Sequence, residues 1–308
     1  MSALDRPRYG RLNKEYGMKL AFCKPEDDGP VWMVNLMKYR EKADYADGRQ
    51  SDISGLEADD LYAPLGPLRK LGAHPVFLAT VETQLTGAEP IWDRIGIVKY
   101  PKSASIIEMQ SMPDFEELHA HKEAGMQQTF VIGSHPMATP ELPADAPALD
   151  AVPFPSTPSD GAIIVMHTLK FADGVEHPTL SSYHDAEGAA AVAHGARITG
   201  WFKVEGTIMG DGRNWDQIRF HEYPSRAAFK AATNDAQAVM DQQQRESVVD
   251  SYSMICDHRS TLSPNQRSAS YTCEARPAQY GARKSRFSIF PEPVLGNSSL
   301  HDSERGIL

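Results

Sequence analysis

Short, nearly continuous apolar runs mark VWMVNLMKYR (31–40) and GAIIVMHTLKF (161–171) as strands. A stretch of helical period follows each, Leu61 to Leu71 and Thr179 to His194. Each closes on a glycine, Gly72 or Gly195, which suits a left-handed helix stop. Two more strand-like runs come next, 74–83 and 91–100 against 197–206 and 214–223, joined by turns containing Gly87 or Asp211 and Gly212. Pro101 and Pro224 stand where a second helix begins, a position at which the missing N–H costs little. Those helices are predicted over 102–124 and 225–247. Final strands, QTFVIGS (128–134) and VVDSYSMIC (248–256), complete each unit. The order β-α-β-β-α-β therefore occurs twice.

The two halves also agree in sequence. Residues 72–101 and 195–224 align without a gap, with Trp92 and Asp93 falling on Trp215 and Asp216, and Tyr100 and Pro101 on Tyr223 and Pro224. Such internal similarity predicts an α+β fold of two ferredoxin-like repeats with helices on one face of each antiparallel sheet. The bare sheet faces need cover, and the expected solution is sheet to sheet, an intramolecular dimeric α+β barrel. The chain divides into a polar leader (1–30), repeat one (31–135), a Pro/Ala-rich linker (136–160), repeat two (161–258) and a Ser/Arg/Pro-rich tail or arm (259–308). Repeat one carries an insert near Lys42 to Ala58, a surface loop with the capacity to act as a lid or partner contact.

Composition narrows the function classes. A formal charge of −10, with no basic stripe, argues against nucleic acid. No apolar run reaches the roughly 20 residues that span a bilayer, and the leader lacks a secretory apolar core. A cytoplasmic protein without membrane partners is expected. Cys23, Cys256 and Cys273 form no paired motif. His119 and His121 lie two apart on a helix and point to different faces, so no metal site is expected. Homo-oligomers are open to the chain through edge strands or the tail.

At VNLMKYR (34–40), Trp92 with Asp93, and KYP (99–101), repeat one resembles the family called domain of unknown function 1330, within the dimeric α+β barrel superfamily. Repeat two departs from it, with MHTLKF in place of VNLMKY. The superfamily includes cofactor-free quinone-forming monooxygenases, lactone isomerases, EthD-like proteins and haem-binding peroxidases. The resemblance implies a small-molecule cavity between sheet and helices or within the barrel, and names no reaction.

Strand alternation separates candidate site residues. With Ile218 and Phe220 assigned to the helices, Trp215, Arg219, His221 and Tyr223 are expected to face the opposing sheet. Arg219 and His221 stand where repeat one has Gly96 and Val98, and His167 stands where it has Asn35. A cofactor-free barrel cavity follows. His221 and His167 would act as acid and base, and Arg219, Lys203, Glu205, Tyr223 and Asn35 as polar contacts, with Trp201 and Trp215 as walls for an aromatic substrate. The expected chemistry is acid/base isomerisation or oxygenation of an aromatic or enolisable acidic small molecule. A non-catalytic ligand-binding or assembly module using tail and insert, and a haem-binding protein, are the alternatives. The Trp-Asp pairs and the tyrosines before proline read as fold landmarks.

Overall fold

The computed structural model describes residues 7–139, 141–175, 186–239 and 246–257. A short strand and helix open it, β1 (Arg11–Leu12) and α1 (Lys14–Ala21). The first half follows with β2 (Val31–Tyr39), α2 (Gly55–Tyr62), α3 (Leu65–Lys70), β3 (His74–Thr86), β4 (Arg94–Tyr100), α4 (Ala104–Gln110), α5 (Pro113–Gly125) and β5 (Met126–Pro136). The second half has β6 (Ile163–Phe171), α6 (Ala186–Ala193), β7 (Arg197–Gly210), β8 (Gln217–Tyr223), α7 (Arg226–Val239) and β9 (Val248–Asp257). Gly72 and Gly195 do take the left-handed backbone, with φ of 69° and 86°. The 259–308 tail lies outside the described residues, as do parts of the second half's two predicted helices.

All the strand pairs are antiparallel, and they close a ring in the order β7-β5-β2-β4-β3-β9-β6-β8, with β8 returning to β7. Within each half the last strand pairs with the first, the first with the third and the third with the second. The two seams, β5 with β7 and β3 with β9, join one half to the other. The halves are thus more than stacked sheets: their edges are hydrogen-bonded into one eight-stranded barrel. The edge strands expected to be open to a second copy are spent on this closure.

The barrel interior is apolar and drawn from both halves. Trp92, Phe130, Trp215 and Tyr252 form an aromatic cluster, beside Ile95, Ile97, Ile218, Phe202 and Phe220. Among the described residues, the two larger of the remaining cores lie outside the barrel, under the helices. One joins Met33, Tyr100, Leu68, Met109 and Phe115 in the first half; the other joins Val165, Tyr223, Ala196 and Ala232 in the second.

The Trp-Asp landmarks explain themselves in this arrangement. Each tryptophan enters the barrel core, and each aspartate turns back to end a strand. Asp93 accepts from the Tyr39 N–H at 2.8 Å and from Lys38 Nζ at 3.0 Å. Asp216 accepts from the Phe171 N–H at 2.8 Å and from Lys170 Nζ at 3.2 Å. The same pair does the same work twice.

Several sequence expectations need correction. Residues 7–30 are more than a polar leader: Asn13 caps α1, and Tyr16 and Leu20 bury their side chains. The helix predicted over 61–71 is two, broken at Ala63 and Pro64, and that over 102–124 is broken before Pro113. The 42–58 insert is no loose surface loop. Its Ala43, Tyr45 and Ile53 pack with Ala58 and Ala124, and its end starts α2 with a Ser54/Glu57 capping box. α2 crosses α5 at glycines, where a Cβ on Gly55 would overlap the backbone of Gly125 and Arg40. The linker stays irregular but lies on the second half, through Arg197 to the Pro147 carbonyl and Ser225 to that of Phe154.

Losing either aspartate strands a backbone N–H and a lysine. Hydrogen bonds to charged groups contribute about 1.5–3 kcal/mol, so Asp93→Ala and Asp216→Ala should each destabilise by about 2 kcal/mol. The Asp216 change should cost more, because its side chain is 14% exposed against 36% for Asp93. Urea unfolding midpoints measure this, and midpoints unchanged from the parent would contradict the strand-ending role.

Candidate functional site

A cavity of about 870 Å³ lies on the outer face of the first half's sheet, roofed by α1 through α5. This size falls within the range of about 300–1,000 Å³ usual for small-molecule sites. The floor is the outward face of β2 and β4: Met33, Asn35 and Met37, then Arg94, Gly96, Val98 and Tyr100. Gly96 leaves room at its centre. A Cβ there would reach Met37 and Leu78 at 3.4 and 3.5 Å, so anything longer would project into the space.

The roof brings most of the chemistry. On α5, Phe115, His119 and Lys122 sit at i, i+4 and i+7, one stripe of the helix, and all three line the cavity. On α2, Asp59 and Tyr62 sit at i and i+3 and join them, which the glycine crossing of α2 and α5 permits. Tyr9, from the segment before β1, shares a 2.8 Å hydrogen bond with His119 Nε2. Asp59 accepts from Tyr39 Oη at 2.6 Å and from Arg94 at 3.2 Å, and Arg94 also donates to Asp60 at 2.9 Å. Arg94 is thereby neutralised by two carboxylates.

Lys122 is different. Its ammonium lies 5.2 Å from the Tyr62 ring and 5.9 Å from the Tyr9 ring, cation–π range. Among the described residues it has no hydrogen bond and no carboxylate within ion-pair distance. The protein encloses it apart from the cavity it lines, and burial lowers its pKa, with the Asp59 charge as a partial counterweight. Burial, aided by Lys122, also brings His119 down to about 4, so this imidazole is neutral near pH 7. Burial raises Tyr9 and Tyr62, which stay protonated. Asp59 too is raised by burial, against the pull of Tyr39 and Arg94. The result is an apolar chamber with one end carrying a cation, a neutral Tyr-His pair and the Asn35 amide, which donates to the carbonyls of Met33 and Gly96 at 3.1 and 3.5 Å.

The residues expected to share one barrel cavity are dispersed. Asn35 lines the first-half cavity, and Trp215 enters the barrel core as expected, but as packing. Arg219, His221 and His167 face the second half's helices, not the opposing sheet, while Ile218 and Phe220 point inward. Tyr223 also faces the helices, 5.2 Å from the Phe229 ring. The expectation of a barrel cavity inverts for a physical reason. It took the helix-covered face as the driest, but a closed barrel has no solvent side at all, so its interior takes the most apolar residues.

A polar cluster does form on that outer face of the second half. The His167 and His221 rings are 5.0 Å apart, His167 Nδ1 lies 2.9 Å from Ser253 Oγ, and the Arg219 guanidinium stacks 4.9 Å from Trp201. Arg219 also donates to Gln217, which accepts from Trp201 Nε1 as well. Burial brings His167 down to about 4 and lowers His221 well below the usual histidine value. Lys203 is exposed, and Glu205 is drawn to the first-half side by Tyr16 Oη at 2.9 Å, Lys19 at 2.8 Å and His135 at 3.3 Å. Sequence reasoning missed Tyr9, Asp59, Tyr62, Arg94, His119 and Lys122. The spacing of Phe115, His119 and Lys122 on one helical face could have flagged α5. The Asn13 cap ahead of Tyr16 and Leu20 could have flagged an ordered opening segment.

No family model matches the chain, and no curated protein matches it. The resemblance to the domain of unknown function 1330 family thus rests on the quoted motifs alone. Among solved structures, the chain is similar to the RPA0582 protein of unknown function from Rhodopseudomonas palustris, with 27% identity over 42% of this chain and 98% of that one at a TM-score of 0.36. A variant of the chlorite dismutase from Candidatus Nitrospira defluvii matches at 12% identity, covering 78% and 93% of the two chains, with a TM-score of 0.43. A monooxygenase candidate from Lactobacillus acidophilus matches at 10% identity, covering 74% and 93%, with a TM-score of 0.36. These likenesses add no reaction to the site. Among the described residues, no helix is long and apolar enough to cross a membrane.

The neutral His119 makes stability depend on pH. An unfolded histidine titrates near 6.5, whereas folded His119 titrates near 4. Its contribution is therefore complete above about pH 6.5 and is lost as the pH falls toward 4, because the unfolded chain takes up the proton first. Melting temperatures measured from pH 7 to 4 should fall across this window, and His119→Gln should flatten the slope. The remainder belongs to groups such as His167. An identical slope in the variant would contradict a buried neutral His119.

Proposed function

We propose that this protein is a small-molecule enzyme that binds a mostly apolar, aromatic or enolisable carbonyl compound and moves a proton on it. The site is the cavity between the first half's sheet and its helices, on a chain of two fused ferredoxin-like units. The observation that carries the reading is an apolar chamber of about 870 Å³ lined by Lys122, which is in no ion pair among the described residues, beside the Tyr9–His119 pair.

The chemistry follows from the groups present. A proton next to a carbonyl becomes removable when the oxygen's developing charge is stabilised. A positively charged nitrogen at Lys122 supplies that stabilisation. Tyr9 and His119 form a relay: the phenol is a proton donor and the neutral imidazole an acceptor. Arg94, tied to Asp59 and Asp60, holds the floor and α2 in place instead of meeting the ligand as a bare cation. Met33, Met37, Val98 and Phe115 supply the apolar walls that exclude water. No bound cofactor enters this scheme.

A second reading keeps the polar cluster of the other half. His167 and His221 as acid and base, with Arg219 as anion anchor beside Trp201, would form a separate site on the outer face of β6 and β8. Its supporting observation is the 5.0 Å approach of the two imidazoles.

Deuterium incorporation next to the carbonyl of 1-phenyl-2-propanone, followed by NMR in D₂O, separates the two. The parent should exchange it above the buffer rate, and Gly96→Leu, which fills the first-half cavity, should lose at least about tenfold of that rate, some 1.4 kcal/mol. Loss with His221→Ala but not with Gly96→Leu would move the site to the second half. Exchange at the buffer rate in the parent would contradict both.

A further inference from the structure

We propose that Lys122 is a covalent catalytic residue, forming an imine with an aldehyde or ketone held in the first-half cavity. This rests on the cavity reading above and names how its substrate class is engaged. Imine formation asks for an amine that is reachable by a ligand, not locked in an ion pair, and surrounded by little water. Lys122 meets all three. It lines the cavity, has no carboxylate within ion-pair distance among the described residues, and lies against the rings of Tyr9 and Tyr62.

Every ionisable group nearby acts in a definite sense. Asp59 favours the ammonium, whereas burial favours the free amine and outweighs it. His119 is neutral, Tyr9 and Tyr62 are protonated, and Arg94 is occupied by Asp59 and Asp60. Among the described residues, Asp59 is the one negative charge that acts on the amine.

The step balances without an oxidant or reductant. The Lys122 nitrogen adds to the carbonyl carbon, and the oxygen takes up the nitrogen's proton to give a carbinolamine. That hydroxyl then takes a proton from the Tyr9–His119 pair and leaves as water, giving the protonated imine, and solvent restores the proton to the pair. The new cation inherits the two aromatic faces and the Asp59 field. A proton on the adjacent carbon is then acidified by the electron-withdrawing C=N⁺, the same proton transfer that the site is proposed to perform.

Reductive trapping tests this. The protein is incubated near pH 7 with phenylacetaldehyde and sodium cyanoborohydride, and adducts are mapped by peptide mass spectrometry. Lys122 should be alkylated at least about tenfold faster than the exposed Lys102. Lys122→Arg, which keeps the charge but cannot form an imine, should show no adduct at that position. Binding of 2-phenylethanol, which has no carbonyl, is followed in parallel by saturation-transfer NMR on the parent and on Gly96→Leu. Binding that Gly96→Leu abolishes, with Lys122 unmodified, would overturn the imine while leaving the cavity reading intact. Absence of both binding and adduct would overturn the imine together with the cavity.

Discussion

The closure of one barrel from two unequal halves is the constraint on which everything else depends. Each four-stranded sheet alone would expose an apolar face and two edges. Pairing β5 with β7 and β3 with β9 removes the edges and turns both bare faces inward at once. The interior must then be filled, and Trp92, Phe130, Trp215 and Tyr252 fill it. The room for a ligand is consequently displaced to the outer faces, under the helices.

That displacement gives the differences between the halves their meaning. Where the second half carries His167, Arg219 and His221 on its outer face, the first carries Asn35, Gly96 and Val98. Large side chains occupy the outer face of one half, and small ones leave the chamber of the other open. The roof of the first half adds to this. It takes α1 from the opening segment, α2 from the insert, and a glycine-to-glycine crossing that lets α2 approach α5 closely. The chemistry of the chamber comes from that roof.

Much of the architecture was legible in the sequence because its signals are local. Apolar strand runs, helix-ending Gly72 and Gly195, and the Trp-Asp and Tyr-Pro landmarks pointed to antiparallel strands facing one another as a barrel, while β1, α1 and the helix breaks before Leu65 and Pro113 went unread. Alternation can sort side chains into two faces, but it cannot say which face is inside. For that, the whole ring must be closed, a matter of pairing between residues far apart in the chain. The apolar pair Ile218 and Phe220 was therefore assigned to the wrong side, and His221 and Arg219 with it. Of the site, Asn35 was singled out, but for the barrel cavity and not for the outer face on which it lies. Lys122, Asp59 and Tyr9 converge from three segments with no shared motif, so no single stretch of sequence announces them.

The central claim is that ligand enters beneath the helices of the first half and not the barrel, and the methionines report on it directly. Met33, Met37 and Met109 line the chamber, whereas Met166 and Met254 lie in the barrel core. With ¹³C-labelled methionine methyl groups, NMR titration with 2-phenylethanol should shift the first three and leave the last two in place. Shifts confined to Met166 and Met254 would contradict the account.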